Sequence, residues 1–303
     1  AMASQPAVIM GSSLVGMCLA MAPLMKNGPV QYCLSPAIHP KPGGYVFSAS
    51  SSSIDQIAAV MRYYRLKGWT KLAVLDTTDA SGQDGDRAIN AVLNYPENKG
   101  VMHKVIQEHF NPTDVSVAAQ MARIRAAAPD ALIAWSTGTP AATLFRGEQE
   151  AGLELPTLTT AGNLTYVQMK QYGQIMPKEL YFAGLPQFAP ESIADKGVKG
   201  AVTTYMTSLG DIGIKPDYGQ ASMWDPAMLV VTALRTLGPT ATAAQIRDYV
   251  SNLGRWVGAD GIYDFRTLPQ RGLDDGNVIV IRWDPSKATW VGVSRPGGMP
   301  LHR

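Results

Sequence analysis

Residues 11–24 read GSSLVGMCLAMAPL, and the four residues before them, Ala7-Val8-Ile9-Met10, form a short apolar run. An apolar strand that enters a Gly-Ser-Ser turn and continues into a helical pattern is a strand–turn–helix unit. In an open parallel sheet such a turn lies at the carboxyl end of the strand, where ligands bind. The next apolar run, residues 31–34, ends the same way in Ser35-Pro36-Ala37-Ile38-His39-Pro40. Two successive strand ends therefore offer hydroxyls, backbone amides and one imidazole to a shared crevice. This is an architecture for binding, with no evident catalyst.

Working outward, strand and helix patterns alternate. After a strand at residues 45–47, residues 51–66 place Ile54, Ile57, Ala58 and Met61 near one helical face, and Gly68 stops that helix. Strands are expected at 71–76, 101–110, 131–135, 157–160 and 181–184, and helices at 85–93, 117–127, from the loop 136–140 to 151, and near 167–172. Such βαβ alternation demands a parallel, doubly wound sheet. The rhythm changes after Phe188. Residues 189–208 read as mostly helical, 223–237 as a long helix closed by Gly238-Pro239, and 243–253 as another, with Asp225 read as the N-terminal cap of a helix from Pro226. Residues 261–265, 277–282 and 289–293 look like antiparallel strands.

Composition narrows the function classes. The chain has 303 residues, 46% hydrophobic and 17% charged, with a formal net charge of +2. Two lobes are the natural expectation at that length. The charge is too small, and Lys and Arg too dispersed, for a nucleic-acid surface. Apolar stretches are interrupted well short of the roughly 20 residues needed to cross a bilayer. Ala1-Met2-Ala3-Ser4 reads as a cloning remnant followed by an initiator Met, with no signal peptide after it. Cys18 and Cys33 are read first as two small buried apolar residues, with a disulfide across the helix–sheet interface as the alternative. His39, His103, His109 and His302 lack metal-ligand spacing, so neither a metal nor another cofactor is expected.

Enzymatic readings fare poorly. Ser12 and Ser13 sit in a strand–turn–helix, but Gly11-Ser12-Ser13-Leu14-Val15 lacks the second glycine of a nucleophile elbow. Glu148, Glu150 and Asp130 are expected on an exposed helix face or a turn, as solvated charges. Asp76, Asp79, Asp84 and Asp86 miss the spacing of a calcium loop.

The order and spacing of the pieces resemble the type I periplasmic binding proteins of ABC transporters, specifically the leucine/isoleucine/valine-type receptors. The residues that carry the resemblance are VIMGSSLVGMCLAMAPLMKNGPVQYCLSPAIHP at 8–40, Gly44-Tyr45-Val46-Phe47, and Lys67-Gly68-Trp69-Thr70-Lys71-Leu72-Ala73-Val74-Leu75. Pro129-Asp130-Ala131-Leu132-Ile133, Gly138-Thr139-Pro140-Ala141-Ala142, Glu150-Ala151-Gly152-Leu153, Trp224-Asp225-Pro226-Ala227 and Gly261-Ile262-Tyr263-Asp264-Phe265 follow in the same order. Each motif is weak alone, and their collinearity over nearly the whole chain is what makes the likeness strong.

The resemblance implies an α/β, two-lobed fold, each lobe a doubly wound parallel sheet, with 1–50 and 239–281 in lobe 1 and 51–238 and 282–303 in lobe 2. Crossings are expected near 47–53, 237–240 and 281–284. Family members begin with a further strand, helix and strand, so lobe 1 is expected to lack these, leaving an apolar edge beside Val8 that invites self-association. The implied function is that of a periplasmic receptor which binds a small molecule by hinge closure and presents it to an ABC-type membrane permease, without chemistry or nucleic acid. A ligand-sensing regulatory domain of the same fold is the alternative, and a hydrolase a more remote one.

Implied contacts from lobe 1 are Ser13, Leu14, Val15, Ala37 and His39. Val15 stands where the amino-acid receptors carry a Ser that holds the ligand carboxylate, and His39 where they carry a Thr, so Ser13 and His39 are expected to take over. Thr137, Thr139, Asn163 and Phe188 come from lobe 2, and Trp224 is a possible apolar wall. Thr139 reads equally as a helix cap, and the aromatics read also as core. No acid lies at residues 219–221 to meet an α-ammonium group. An aromatic or branched-chain acid is the expected ligand.

Overall fold

The computed structural model describes residues 6–301, so the Ala1-Met2-Ala3-Ser4 start and His302 fall outside it. The chain opens with β1 (Val8–Met10), α1 (Val15–Met21), β2 (Val30–Cys33) and β3 (Val46–Ser48). These strands form a parallel three-stranded sheet in the order β1-β2-β3, with Val8 opposite Val30 and Gln31 opposite Val46. Cys18 is the buried residue of α1, and Cys33 ends β2 beneath it with no exposure. They form a disulfide with Cα atoms 5.9 Å apart, a separation that suits the bridge and corrects the reading of two separate apolar cysteines.

Next come α2 (Ser53–Lys67), β4 (Lys71–Thr77), α3 (Ala80–Leu93), β5 (His103–Phe110), α4 (Ala118–Ala126), β6 (Ala131–Trp135), α5 (Thr139–Glu150), β7 (Thr157–Thr159), α6 (Tyr166–Tyr172) and β8 (Leu180–Gly184). Then follow α7 (Lys196–Gly210), α8 (Tyr218–Leu237), α9 (Ala243–Ser251), β9 (Trp256–Val257), β10 (Ile262–Tyr263), β11 (Ile279–Asp284) and β12 (Thr289–Gly292). A seven-stranded sheet runs β12-β11-β8-β7-β6-β4-β5. Its strands from β8 to β5 are parallel, and β11 is antiparallel to both β8 and β12. β6, ALIAW, is buried along its whole length, as expected of a parallel strand covered on both faces.

Helix α3 begins five residues before the expected start. Asp79 caps it, its carboxylate accepting from the Gly82 amide at 2.9 Å. A Cβ at Gly82 would lie 1.7 Å from the Thr77 carbonyl oxygen, and one at Gly85 2.1 Å from the Trp135 ring. These glycines therefore serve close packing of helix on strand, although their sequence neighbourhood reads as a loop.

The chain divides into two compact units. The first runs through Ser52 and adds Leu185–Gln187 and Ile193–Asn277; the second comprises Ser53–Gly184, Phe188–Ser192 and the described residues from Val278 onward. This differs from the expected division, because residues 193–238 belong with the first unit. The reason is packing. Leu229 and Ala233 of α8 and Ile246 and Val250 of α9 share one core with Val30, Tyr32, Phe47, Tyr263 and Phe265. The expected crossing at 237–240 is therefore replaced by passages of the chain between 184 and 193, and the last passage falls at Asn277, before β11. The second unit has its own core, including Ile57, Met61 and Tyr64 of α2, Leu72 and Val74 of β4, Ile133 of β6 and Leu158 of β7.

Helix α8 also starts earlier than read. Asp217 is its cap, in a reciprocal box with Gln220. Asp225 consequently lies inside the helix, on the buried side with Ala221, Ser222 and Leu229, and not at its N-terminus.

Candidate functional site

In the first unit, the turn after β1 is stitched to the sheet. The Gly11 amide donates to the Tyr32 carbonyl at 2.7 Å, and the Leu34 amide to the Ser12 carbonyl at 2.9 Å. Ser12 Oγ accepts from the Leu14 amide at 3.0 Å, so that hydroxyl is committed to the turn. Ser13 is exposed, and its hydroxyl makes no hydrogen bond within the described residues. Leu14 beside it is 65% exposed. This turn thus presents one available hydroxyl next to an apolar side chain.

Other expected contacts of this unit lie elsewhere. Val15 packs against Cys18, Cys33 and Ile38, which makes it core and not a ligand wall. Ala37 is buried, and its amide donates to Ser35 Oγ at 3.3 Å. His39 is exposed and lines a cavity with Lys26 and Lys41 to which neither Ser13, Leu14, Val15 nor Ala37 contributes. Trp224 packs edge-on against Tyr205 of α7, ring centroids 5.3 Å apart.

In the second unit, the loop between β6 and α5 is held from below. Asn163 is wholly buried, and its side chain accepts from the Gly138 amide at 2.9 Å while donating to the Ser136 carbonyl and to Thr159 Oγ1, both at 2.8 Å. Both donors of its amide are used in these bonds, and its oxygen holds the Gly138 amide, so Asn163 positions the loop. Tyr172 OH adds a bond to the Gly138 carbonyl at 2.8 Å. Thr137 and Thr139 are the exposed side chains this scaffold carries; the Thr137 hydroxyl shares a 2.9 Å hydrogen bond with that of Thr160. Gly138 occupies the cap position of α5, so Thr139 is the first helical residue and does not cap. Phe188 is 9% exposed and packs edge-on against Trp290, which reduces its availability as a free aromatic lid.

Sequence reasoning missed four buried ionisable groups. Asp225 accepts from the amides of Ala259 at 2.8 Å and Asp260 at 2.7 Å and from Tyr263 OH at 3.1 Å, and burial pushes its pKa up to about 6. Asp260, bonded to the Gln187 side-chain amide, is pushed well above the carboxylate range by burial and then by the Asp225 charge. Glu148, expected on an exposed face, is 2% exposed; burial raises it to about 8, and its Oε1 accepts from the Thr157 hydroxyl at 2.8 Å. Asp76 is fully buried against His109, with its pKa pushed up to about 6 by burial. For Asp225 a signal existed, because the spacing 221, 225, 229 places it on the apolar stripe of α8. Nothing local marks Asp260.

A family model described as a periplasmic binding protein matches residues 3–288. The chain belongs to the periplasmic binding protein family. The solved structures that resemble this periplasmic binding protein include an extracellular ligand-binding receptor from Rhodopseudomonas palustris HaA2, 21% identical with a TM-score of 0.79, over 95% of this chain and 82% of that one. Another is the leucine-binding protein LivK from Thermotoga maritima MSB8, 17% identical, TM-score 0.74, over 95% and 79% of the two chains. A third is a fatty acid ABC transporter substrate-binding protein from Thermomonospora curvata, 16% identical, TM-score 0.73, over 97% and 75%. A search of curated proteins gives no match. At these identities the likeness speaks for the fold, and the two-unit α/β architecture agrees with it. Among the described residues, no helix of this periplasmic binding protein is long and apolar enough to cross a membrane, and no three His, Cys, Asp or Glu side chains gather as a metal site.

Proposed function

We propose that this protein is the extracytoplasmic receptor of an ABC importer and that it binds a small carboxylic acid with an apolar body, aromatic or branched aliphatic. The observation that carries the reading is the turn after β1, where Ser12 is consumed by the backbone while Ser13 and Leu14 remain exposed. A hydroxyl donor beside an apolar side chain suits a carboxylate joined to an apolar group. The stretch Gly219-Gln220-Ala221 offers no acid for an α-ammonium group, which favours a simple acid over an amino acid. Two structural neighbours carry the names of leucine and fatty acid receptors, both ligands being carboxylates with apolar bodies.

In this reading the first unit takes the ligand through the turn after β1, and hinge closure completes binding. The permease would recognise the closed, liganded form. The Cys18–Cys33 disulfide supports a periplasmic location, since such bonds persist in oxidising compartments. A thermal-shift screen tests the ligand class, because a ligand specific to the folded state raises the melting temperature. A shift with benzoate-like or phenylpropanoid acids or with branched aliphatic acids is expected. Shifts confined to sugars or polyamines would overturn the reading.

A further inference from the structure

The cavity that His39 lines lies wholly within the first unit and has a volume of about 670 Å³. Its lining is largely apolar, including Leu19, Ile38, Pro40, Tyr45 and Val46, and its basic side chains are Lys26, His39 and Lys41, with no carboxylate in the lining. Neither Lys26 nor Lys41 is in an ion pair among the described residues. Both walls are fixed. On one side α1 is bonded to β2 through Cys18–Cys33. On the other, the connection from β2 to β3 is held from behind by two neighbouring residues. The Gln270 side chain donates to the carbonyls of Gly44 at 2.9 Å and Val46 at 3.2 Å and accepts from the Gly43 amide at 3.2 Å. Arg271 donates to the carbonyls of Ser50 at 2.9 Å, Pro36 at 3.2 Å and Ile38 at 2.6 Å.

We propose that this cavity is a second ligand site, for a monomeric amphiphilic anion whose apolar body lies against Ile38, Tyr45 and Val46 and whose charged head meets Lys26 and Lys41. Three features carry the assignment. The volume is that of a small-molecule pocket, within the roughly 300–1,000 Å³ that such sites occupy. The walls are set before any ligand arrives, so little ordering is required on binding. The basic, acid-free rim selects an anion over a neutral or cationic amphiphile of the same length.

Decanoate, decanol and decyltrimethylammonium, titrated calorimetrically below their aggregation concentrations, provide the test. Decanoate is expected to bind at one site more tightly than decanol, and the cation to be rejected. The double variant Lys26→Glu/Lys41→Glu, altering two exposed side chains, should weaken decanoate at least tenfold, and Val46→Trp should weaken it by filling the space. Ser13→Trp, which obstructs the turn after β1, should leave decanoate affinity within twofold of the parent. Unchanged affinity in the Lys26/Lys41 variant, loss of decanoate binding in Ser13→Trp, or no binding by the parent protein at millimolar decanoate would each overturn the proposal. Circular dichroism melts of the three variants establish that each reading comes from folded protein.

Discussion

The two units solve the problem of staying folded by different means. The second buries strands such as ALIAW at 131–135 completely and surrounds them with apolar helix faces, so its order comes from continuous hydrophobic packing. The first has a three-stranded sheet whose strands are three or four residues long, and it supplements packing with point fixtures: a disulfide, the Arg271 guanidinium on three carbonyls, and the Asp225–Tyr263–Asp260 group. A small sheet exposes proportionally more of itself and needs such fixtures more. The difference teaches that polar residues buried in the first unit should be read as structure before they are read as chemistry.

That contrast can be broken by experiment. The largest expected effect is in the second unit: Leu158→Ala should cost about 2–5 kcal/mol through lost packing and the void it leaves. Urea titration measures it, and hydrogen exchange should locate the loss in residues 71–184. Reducing Cys18–Cys33 should cost about 3 kcal/mol, the chain-entropy value for a loop of this length. Exchange should then quicken in residues 8–48 while the second unit keeps its protection; equal loosening of both units would dissolve the distinction.

A pH series sharpens it further. Burial raises the Glu148 pKa in the folded state to about 8, above the ordinary glutamate value of 4.5, so the folded state retains a proton that the unfolded state releases in that window. Stability should therefore fall as pH rises from about 5 to about 8, by at most about 1.4 kcal/mol per pH unit. Glu148→Gln should flatten that slope in urea midpoints. Asp225, raised to about 6, acts in the same direction in the first unit between about pH 4 and 6, so Asp225→Asn should flatten the slope in that lower window. The smallest effect on stability is expected for Ser13→Ala, within about 0.5 kcal/mol as for other exposed positions. It should nonetheless weaken binding of the primary ligand by about threefold to tenfold, as the loss of one hydrogen bond predicts, and His39→Ala should not.

Much of this was legible before any coordinates. The alternation of apolar runs with helical spacing between 45 and 184 identifies the parallel sheet, and Gly-Ser-Ser at 11–13 marks a strand-end turn because few other residue types fit one. The allocation of residues 193–238 was not legible. An amphipathic helix announces which of its faces is apolar but not which sheet receives it, and Leu229 of α8 meets Tyr32 and Phe47 from nearly two hundred residues away. For the same reason Asn163 read as a ligand contact: its partners Ser136 and Gly138 lie in the loop after β6, and their closeness to it depends on the register between β6 and β7, which local sequence does not encode. Glu148 deceived differently, since burial of a carboxyl beside Thr157 leaves no trace in helical periodicity.

The order in which the segments occur along the chain has a consequence for synthesis. Residues 53–184 are contiguous and hold most of the second core, so this stretch can collapse while still attached to the ribosome. Tyr32 and Phe47 emerge earlier yet must wait for Leu229, Tyr263 and Phe265. The first unit is thus begun first and finished late, and contacts of such long sequence separation fold slowly. During that interval its strands are without their cover, the period in which a nascent chain of this design most needs a chaperone.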